Sequence, residues 1–297
     1  MRIKGIVNGM QQNTTEKRTL LAVLAHPDDE SFGIGGTLAY YAQQGVNIEL
    51  ICATKGEVGE MEPQYLHDNL SPSDIRVNEL RCAAGILGIS KIHFLDYRDS
   101  GMVGSSENNH PQALCNQPLE SVALRIVEII RNLKPDLVIT FDPIGGYRHP
   151  DHIAIHNATV MAYTMAFDPN TACALPPFKP ARLLYSTFPK TSLRLMLRMM
   201  SLFGKDPRHF GKNGDINLVS IAEVTFPTHY KISYRSVAKA RDAAAACHAS
   251  QGGGGISNGF VAFFRNLFTP YETFMQAQPV YTAKHPQRDI FAGLDKG

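Results

Sequence analysis

Four short apolar runs, each followed by a stretch of helical periodicity, limit what this chain can fold into. The runs are Leu20–Ala25, Asn47–Thr54 (NIELICAT), Lys91–Leu95 (KIHFL) and Asp136–Phe141 (DLVITF). Leu20–Ala25 is continuously apolar, which is what a strand buried on both faces looks like, and the other three read as further strands. Gly35–Gln44 reads as a helix stopped by Gly45. Ser71-Pro72 supplies an N-cap and a proline at the first helical position, and the helix runs to about Leu87, before Gly88. Leu119–Leu133 (LESVALRIVEIIRNL) has helical spacing, and His149-Pro150 opens a helix to about Phe167. This alternation predicts an α/β fold: a Rossmann-like, doubly wound, mainly parallel sheet with helices on both faces and right-handed crossovers.

Beyond Phe167 the pattern is less regular. DPNTACALPPFKP is a Pro-rich connection, and Arg182–Thr187 reads as a strand. Thr191–Leu202 reads as an amphipathic helix rich in Met and Arg that packs on the body rather than on a membrane. Lys231–Cys247 reads as one further helix, QGGGGISNG as a flexible loop, and Glu272–Ala277 as a late strand. The expected organisation is a flexible segment 1–18 and a single domain 19–297. That domain divides into a Rossmann-like core, 19–167, and a smaller C-terminal part, 168–297, that completes the pocket. A chain of 297 residues is long enough for one such domain.

The bulk numbers exclude several partners. Charged residues are 19% and the net charge is +2, without a long Lys/Arg run, so no nucleic-acid footprint is read. No uninterrupted apolar stretch approaches membrane-spanning length, and the N-terminus lacks the apolar core of a signal peptide. Cysteines 52, 82, 115, 173 and 247 are odd in number and contain no CxxC. They argue against a disulfide framework or a cysteine zinc site, and read as small buried hydrophobes in a reducing cytoplasm.

Two polar motifs interrupt this scaffold. His26-Pro27-Asp28-Asp29-Glu30 follows the first strand, and His149-Pro150-Asp151-His152 follows the fourth through DPIGGYR. Three successive carboxylates repel one another unless a cation holds them. Ligands of open parallel sheets bind outside the carboxyl ends of the strands, so both motifs project to one edge. Imidazole and carboxylate are good zinc ligands, and a catalytic site uses three of them plus a water. His26 and one aspartate can supply two, and a histidine of the second motif the third. The set His26, Asp28 and a distant histidine also satisfies a non-haem iron triad, which leaves the second aspartate and His149 without a role.

The paired motifs resemble the PIG-L/LmbE-like family of zinc-dependent N-acetylglucosaminyl deacetylases. RVNELRCAAGILG (76–88) is similar to the family's Arg-x-x-Glu helix. YRDSGM (97–102) and GGYRHPDH (145–152) are similar to the branch that acts on mycothiol precursors and conjugates, and KHPQRDIFAGL (284–294) is a family-like tail. The resemblance implies that His26, Asp29 and His152 bind one Zn2+ per chain and that Asp28 is the general base. It implies that His149 stabilises the oxyanion and protonates the leaving amine, with Asp151 orienting His149 from behind. Tyr147 would stand near the oxyanion, Arg76 and Asp99 would grip sugar hydroxyls, and Met102 would line the sugar pocket. The implied substrate is a small N-acetylated sugar such as GlcNAc-inositol, with amide cleavage of thiol-sugar conjugates as the alternative. Members of the family are often homo-oligomers.

Other polar residues carry plainer expectations. Gly33, Gly35 and Gly36 depart from GxGxxG and read as close-packing glycines. His156 reads as a helix residue, His248 as a cap or part of a pocket wall, Glu57 as a candidate pocket acid, and Arg194, Arg198 and Lys205 as a solvated face.

Overall fold

The computed structural model describes residues 17–59, 61–66, 69–188, 190–209, 214, 217–254 and 270–294. Residues 1–16 of the expected flexible segment 1–18 and most of the glycine-rich loop therefore lie outside the described residues. In chain order the elements are β1 (Thr19–Leu24), α1 (Asp29–Gly33), α2 (Gly35–Gln43), β2 (Asn47–Thr54), α3 (Pro72–Leu87), β3 (Ile89–Tyr97), α4 (Leu119–Leu133) and β4 (Leu137–Phe141). They continue as α5 (Gly145–Arg148), α6 (Pro150–Met165), β5 (Arg182–Thr187), α7 (Lys190–Leu202), α8 (Leu218–Glu223), β6 (Tyr230–Ser233), α9 (Ala238–Cys247) and β7 (Tyr271–Gln278).

One seven-stranded sheet runs β3-β2-β1-β4-β5-β7-β6. The strands from β3 to β5 pair in parallel, and β7 and β6 close the far edge antiparallel. Helices α4 and α6 pack on each other, as do α2, α3 and α9, and both groups rest on the sheet. Leu20, Leu21, Ala22 and Val23 of β1 are fully buried, which is why this strand reads as an unbroken apolar run. Strand order reverses between β1 and β4, the crevice where doubly wound sheets bind ligands. Both polar motifs leave the carboxyl ends of these two strands.

Local chemistry fixes α3, which carries Arg76. Ser71 Oγ accepts from the Asp74 N–H, the Asp74 carboxylate accepts from the Ser71 N–H, and Gly88 ends the helix at φ 76°. Such a cap contributes about 1 kcal/mol.

Two expectations are corrected. Lys231–Cys247 is not one helix: Tyr230–Ser233 forms strand β6, a 3-10 turn covers Arg235–Val237, and α9 starts at Ala238. Tyr230 and Ile232 are buried while Lys231 and Ser233 face outward, the period-two pattern of an edge strand on β7. Four residues are too few for that period to stand out beside an Ala-rich helix. The cysteines are not all free either. Cys82 on α3 and Cys247 at the end of α9 form a disulfide across 165 residues of sequence, whereas Cys52, Cys115 and Cys173 are free.

Candidate active site

His26 lies just past β1, buried, and its backbone N–H donates to Asp29 Oδ2 at 2.8 Å. Asp29 opens α1, and His152 sits in the first turn of α6. His152 Nδ1 donates to the Gly145 carbonyl at 3.2 Å, which turns Nε2 into the site. That Nε2 lies 3.2 Å from Asp29 Oδ1 and 3.2 Å from His26 Nδ1. His26 Nδ1 in turn lies 3.6 Å from Asp29 Oδ2. A tetrahedral zinc with bonds near 2.1 Å holds its donors roughly 3.4 Å apart, so these three side chains fit the ion. The charge fits as well. Burial pushes the His26 imidazolium down, but Asp99, Asp151 and Asp29 around it outweigh burial and favour a cation there. Burial likewise pushes Asp29 up, and His152 and His26 hold it well below the ordinary carboxylate range.

The far nitrogen of His26 is held from behind. Nε2 donates to Asp151 Oδ2 at 3.1 Å and has Asp99 Oδ1 at 3.6 Å. Asp151 is itself fixed by the Ser100 N–H at 2.9 Å and by the Ser100 hydroxyl. The expectation that the Asp151 carboxylate orients His149 is therefore corrected: it orients His26. What reaches His149 is the Asp151 backbone N–H, which donates to His149 Nδ1 at 3.1 Å because His149 is the N-cap of α6. Adjacent to a proline at the first helical position, the two side chains diverge, and their spacing in sequence conceals this.

His149 is consequently the Nε2–H tautomer. Burial first, then the neighbouring His26 and His152, lowers its pKa well below the ordinary value, so the ring is neutral. Its centroid is 4.5 Å from that of His26. Tyr147 stands over both motif histidines, with ring centroids 5.9 Å from His149 and 4.8 Å from His152. Burial raises the Tyr147 pKa, which keeps the phenol protonated.

Asp28 takes a different path from Asp29. Its φ of 127° lies where non-glycine residues are strained. Oδ2 accepts from Arg76 Nη2 at 3.2 Å, and the carboxylate takes no part in the His26–Asp29–His152 contacts. An iron-type triad through Asp28 is thus not the arrangement present. Burial pushes its carboxyl up to about 6, with Arg76 opposing, a value suited to a proton acceptor working near neutrality.

Arg76 is more structural than a sugar-gripping residue need be. Its guanidinium donates to the Gly56 carbonyl at 3.1 Å and to the Pro27 carbonyl at 2.9 Å besides Asp28. A Cβ at Gly56 would stand 2.1 Å from it and displace the guanidinium, and the φ of 68° there favours glycine as well. Asp99 caps its own loop through the Gly101 N–H at 2.8 Å. Burial raises Asp99, but His26 outweighs burial and holds it low. Glu57 accepts the Asp99 N–H at 3.1 Å.

Two cavities meet at Asp28 and Tyr147. The larger, about 630 Å³, reaches His26, His149, Arg76, Asp99 and Met102. The smaller, about 340 Å³, reaches Asp29 and His152 and is walled by Phe32, Phe141, Phe188, Tyr234 and Tyr271. All ten residues singled out from the sequence line these cavities or, for Asp151, stand directly behind. His156 is not among them; it donates to the Phe141 carbonyl from α6. Ser100 and Glu30 had no role from the sequence alone: Ser100 meets Asp151 and Glu30 meets His248 from distant chain, and Glu30 also accepts the nearby Asp28 N–H.

The family model described as PIG-L, GlcNAc-PI de-N-acetylase, matches residues 21–163. The 1D-myo-inositol 2-acetamido-2-deoxy-alpha-D-glucopyranoside deacetylase of Acidothermus cellulolyticus is 33% identical over 294 residues, covering 94% of this chain and 96% of that protein. The chain belongs to the PIG-L family. The family match spans β1 to α6 and so holds both motifs. Among solved structures, the N,N'-diacetylchitobiose deacetylase from Pyrococcus horikoshii shares the fold at TM-score 0.59 and 20% identity, covering 91% of this chain and 87% of that one. GalB, the 4-carboxy-2-hydroxymuconate hydratase from Pseudomonas putida KT2440, shares it at TM-score 0.61 and 17% identity, covering 90% and 99%. A hydratase on the same PIG-L-like scaffold means that chemistry must be argued from the side chains.

Proposed function

We propose that this chain is a zinc-dependent deacetylase that hydrolyses the N-acetyl amide of a glucosamine joined to a polyol such as inositol. The observation that carries the proposal is the division of the two aspartates: Asp29 faces His26 and His152 as a third donor, while Asp28 stays outside that set and faces both cavities. The substrate follows that of the Acidothermus cellulolyticus deacetylase, which the chain matches over nearly its whole length.

Zinc held by His26, Asp29 and His152 would acidify water and polarise the acetyl carbonyl. The residues of the chain supply the rest. Arg76 occupies Oδ2 of Asp28 and fixes the carboxylate, and Asp28 takes the proton from the attacking water. The Nε2–H of neutral His149 and the phenol of Tyr147 donate to the carbonyl oxygen as it becomes anionic. The amine must leave protonated. Neutral His149 has no acidic proton to give, so the proton that Asp28 takes from water, on a carboxyl facing both cavities, is the one that goes to the amine. The amine-bearing sugar then lies in the larger cavity with Asp99 and Met102, and the acetyl group points to the smaller one.

The test is acetate release from N-acetylglucosaminyl-inositol by zinc-loaded and chelator-treated protein. Fast release that the chelator abolishes is expected; a zinc-loaded protein that releases none overturns the substrate assignment. A second reading, cleavage of a larger acyl group such as that of a thiol-sugar conjugate, is favoured by one observation. The 340 Å³ aromatic cavity is much larger than an acetyl methyl. A series of N-acyl glucosaminides separates the two readings. A cytoplasmic setting belongs to the proposal as well. It predicts free Cys82 and Cys247 thiols when cells are lysed under thiol-trapping conditions. Among the described residues no helix is long and apolar enough to cross a membrane.

A further inference from the structure

Glu30 and His248 form a buried pair that touches neither cavity. His248 Nε2 donates to Glu30 Oε1 at 2.7 Å, and both side chains are fully buried. The residues are 218 positions apart, and His248 comes from the end of α9. This contact is the only polar one of the ring among the described residues, since Nδ1 has no partner. Glu30 uses its other contacts locally. Oε1 also accepts from the Ser31 hydroxyl at 2.6 Å, and Oε2 accepts the backbone N–H of Asp28 at 3.0 Å.

That last bond falls on the strained residue. Asp28 sits at φ 127° with ψ −28°, a conformation that persists only where surrounding structure over-determines it. Its carbonyl accepts from the N–H groups of Ser31 and Phe32 at 3.0 and 2.9 Å, and its N–H has Glu30. The Glu30 carboxylate is therefore the part that holds the amino side of Asp28, and it needs a fixed orientation to do so. The His248 ring supplies a rigid donor from outside the motif.

We propose that His248 is a positioning residue for the deacetylation proposed above: through Glu30 it holds Asp28 in its left-handed conformation, with the carboxylate between the two cavities. The turn after His248 serves the same purpose on the other side. The N–H groups of Gln251 and Gly253 donate to the His248 carbonyl at 3.1 and 2.9 Å, and Ser250, Gln251 and Gly252 wall the larger cavity. One buried residue thus ties a wall of the sugar compartment to the base.

The experiment compares His248→Leu, which removes the donor, with His248→Gln, which keeps one near the Nε2 position. Each is measured for zinc content, kcat and KM on the acetylated glucosaminide, and the Asp28 φ in a crystal structure. The expected result for His248→Leu is one zinc per chain, KM within about twofold of wild type, and kcat lower by roughly ten- to hundredfold, with Asp28 shifted out of its left-handed conformation. His248→Gln is expected to recover most of kcat and the Asp28 conformation. An unchanged kcat in His248→Leu overturns the proposal, as does a loss that appears mainly in KM or in zinc content. If His248→Leu fails to fold, Glu30→Gln takes its place with the same expectations. If wild-type protein releases no acetate, the deacetylase reading fails by itself, and the Asp28 conformation in the variants still decides the role of the pair.

Discussion

The parallel half of the molecule and the C-terminal part do different work at one site. Residues from β1 to α6 supply every group assigned to chemistry: the donors His26, Asp29 and His152, the base Asp28, and the donors His149 and Tyr147. The region from β5 onward supplies none of these. It contributes walls such as Phe188, Tyr234 and Tyr271, and clamps such as His248 on Glu30 and Ser250 on Glu79. The parallel half presents its groups where strand order reverses, a position fixed by topology. The C-terminal part reaches the same place from an antiparallel edge and can vary its walls without moving a ligand. Substitutions should therefore fall into two classes, loss of chemistry in the first region and change of fit or stability in the second, with His248, which acts on the first region through Glu30, as the exception.

The sharpest contrast is within the first region. Asp29→Ala should remove the metal and reduce acetate release to background, read by metal analysis and assay together. Asp28→Asn should keep one metal per chain while kcat falls by roughly 10²- to 10⁴-fold. Loss of metal in that variant would reverse the roles of the two aspartates. Asp151→Asn should weaken zinc binding by roughly 10- to 100-fold in a competition titration, because the carboxylate stands behind a metal-facing histidine. Wild-type affinity in that variant would return Asp151 to His149.

Apart from the His248–Glu30 pair, the contacts that join the second region to the first should act on stability. Cys82→Ser breaks the link between α3 and α9 and should cost about 2–4 kcal/mol of unfolding free energy in urea under oxidising conditions, with kcat unchanged. A drop in kcat would show that the α3–α9 link reaches the chemistry directly. The smallest effect concerns pH. Burial lowers the His248 pKa, but Glu30 outweighs burial and the folded value lies above the ordinary one. Its contribution to stability is therefore complete below about pH 6.5 and is lost as pH rises through the raised folded pKa. Wild-type stability relative to His248→Gln should decline across that window, and a flat difference would remove the charge from the pair.

Much of this is legible in the sequence. The strands β1 and β4 are nearly continuous apolar runs because both of their faces are covered, and the caps Ser71 and Gly88 mark α3 by local chemistry. The two motifs were legible because polar residues following such strands have few structural uses. What could not be read is pairing across long stretches of chain. His248 on Glu30, Cys82 on Cys247 and Asp151 on His26 each join segments with no shared periodicity. Strand β6 escaped notice because four residues cannot display a period of two beside a helix-forming run. The Asp151 expectation failed for a local reason: a helix N-cap sends its own side chain and that of the second helical residue in different directions.

The central claim is that the metal lies on the Nδ1 side of His26. A crystal of zinc-loaded protein, measured on both sides of the zinc absorption edge, tests it directly. The account predicts one anomalous peak bonded to His26 Nδ1, Asp29 and His152 Nε2, with Asp28 outside bonding distance. His26, Asp99, His149 and Asp151 also lie close enough to form a donor group. A peak there, on the Nε2 side of His26, would contradict the account.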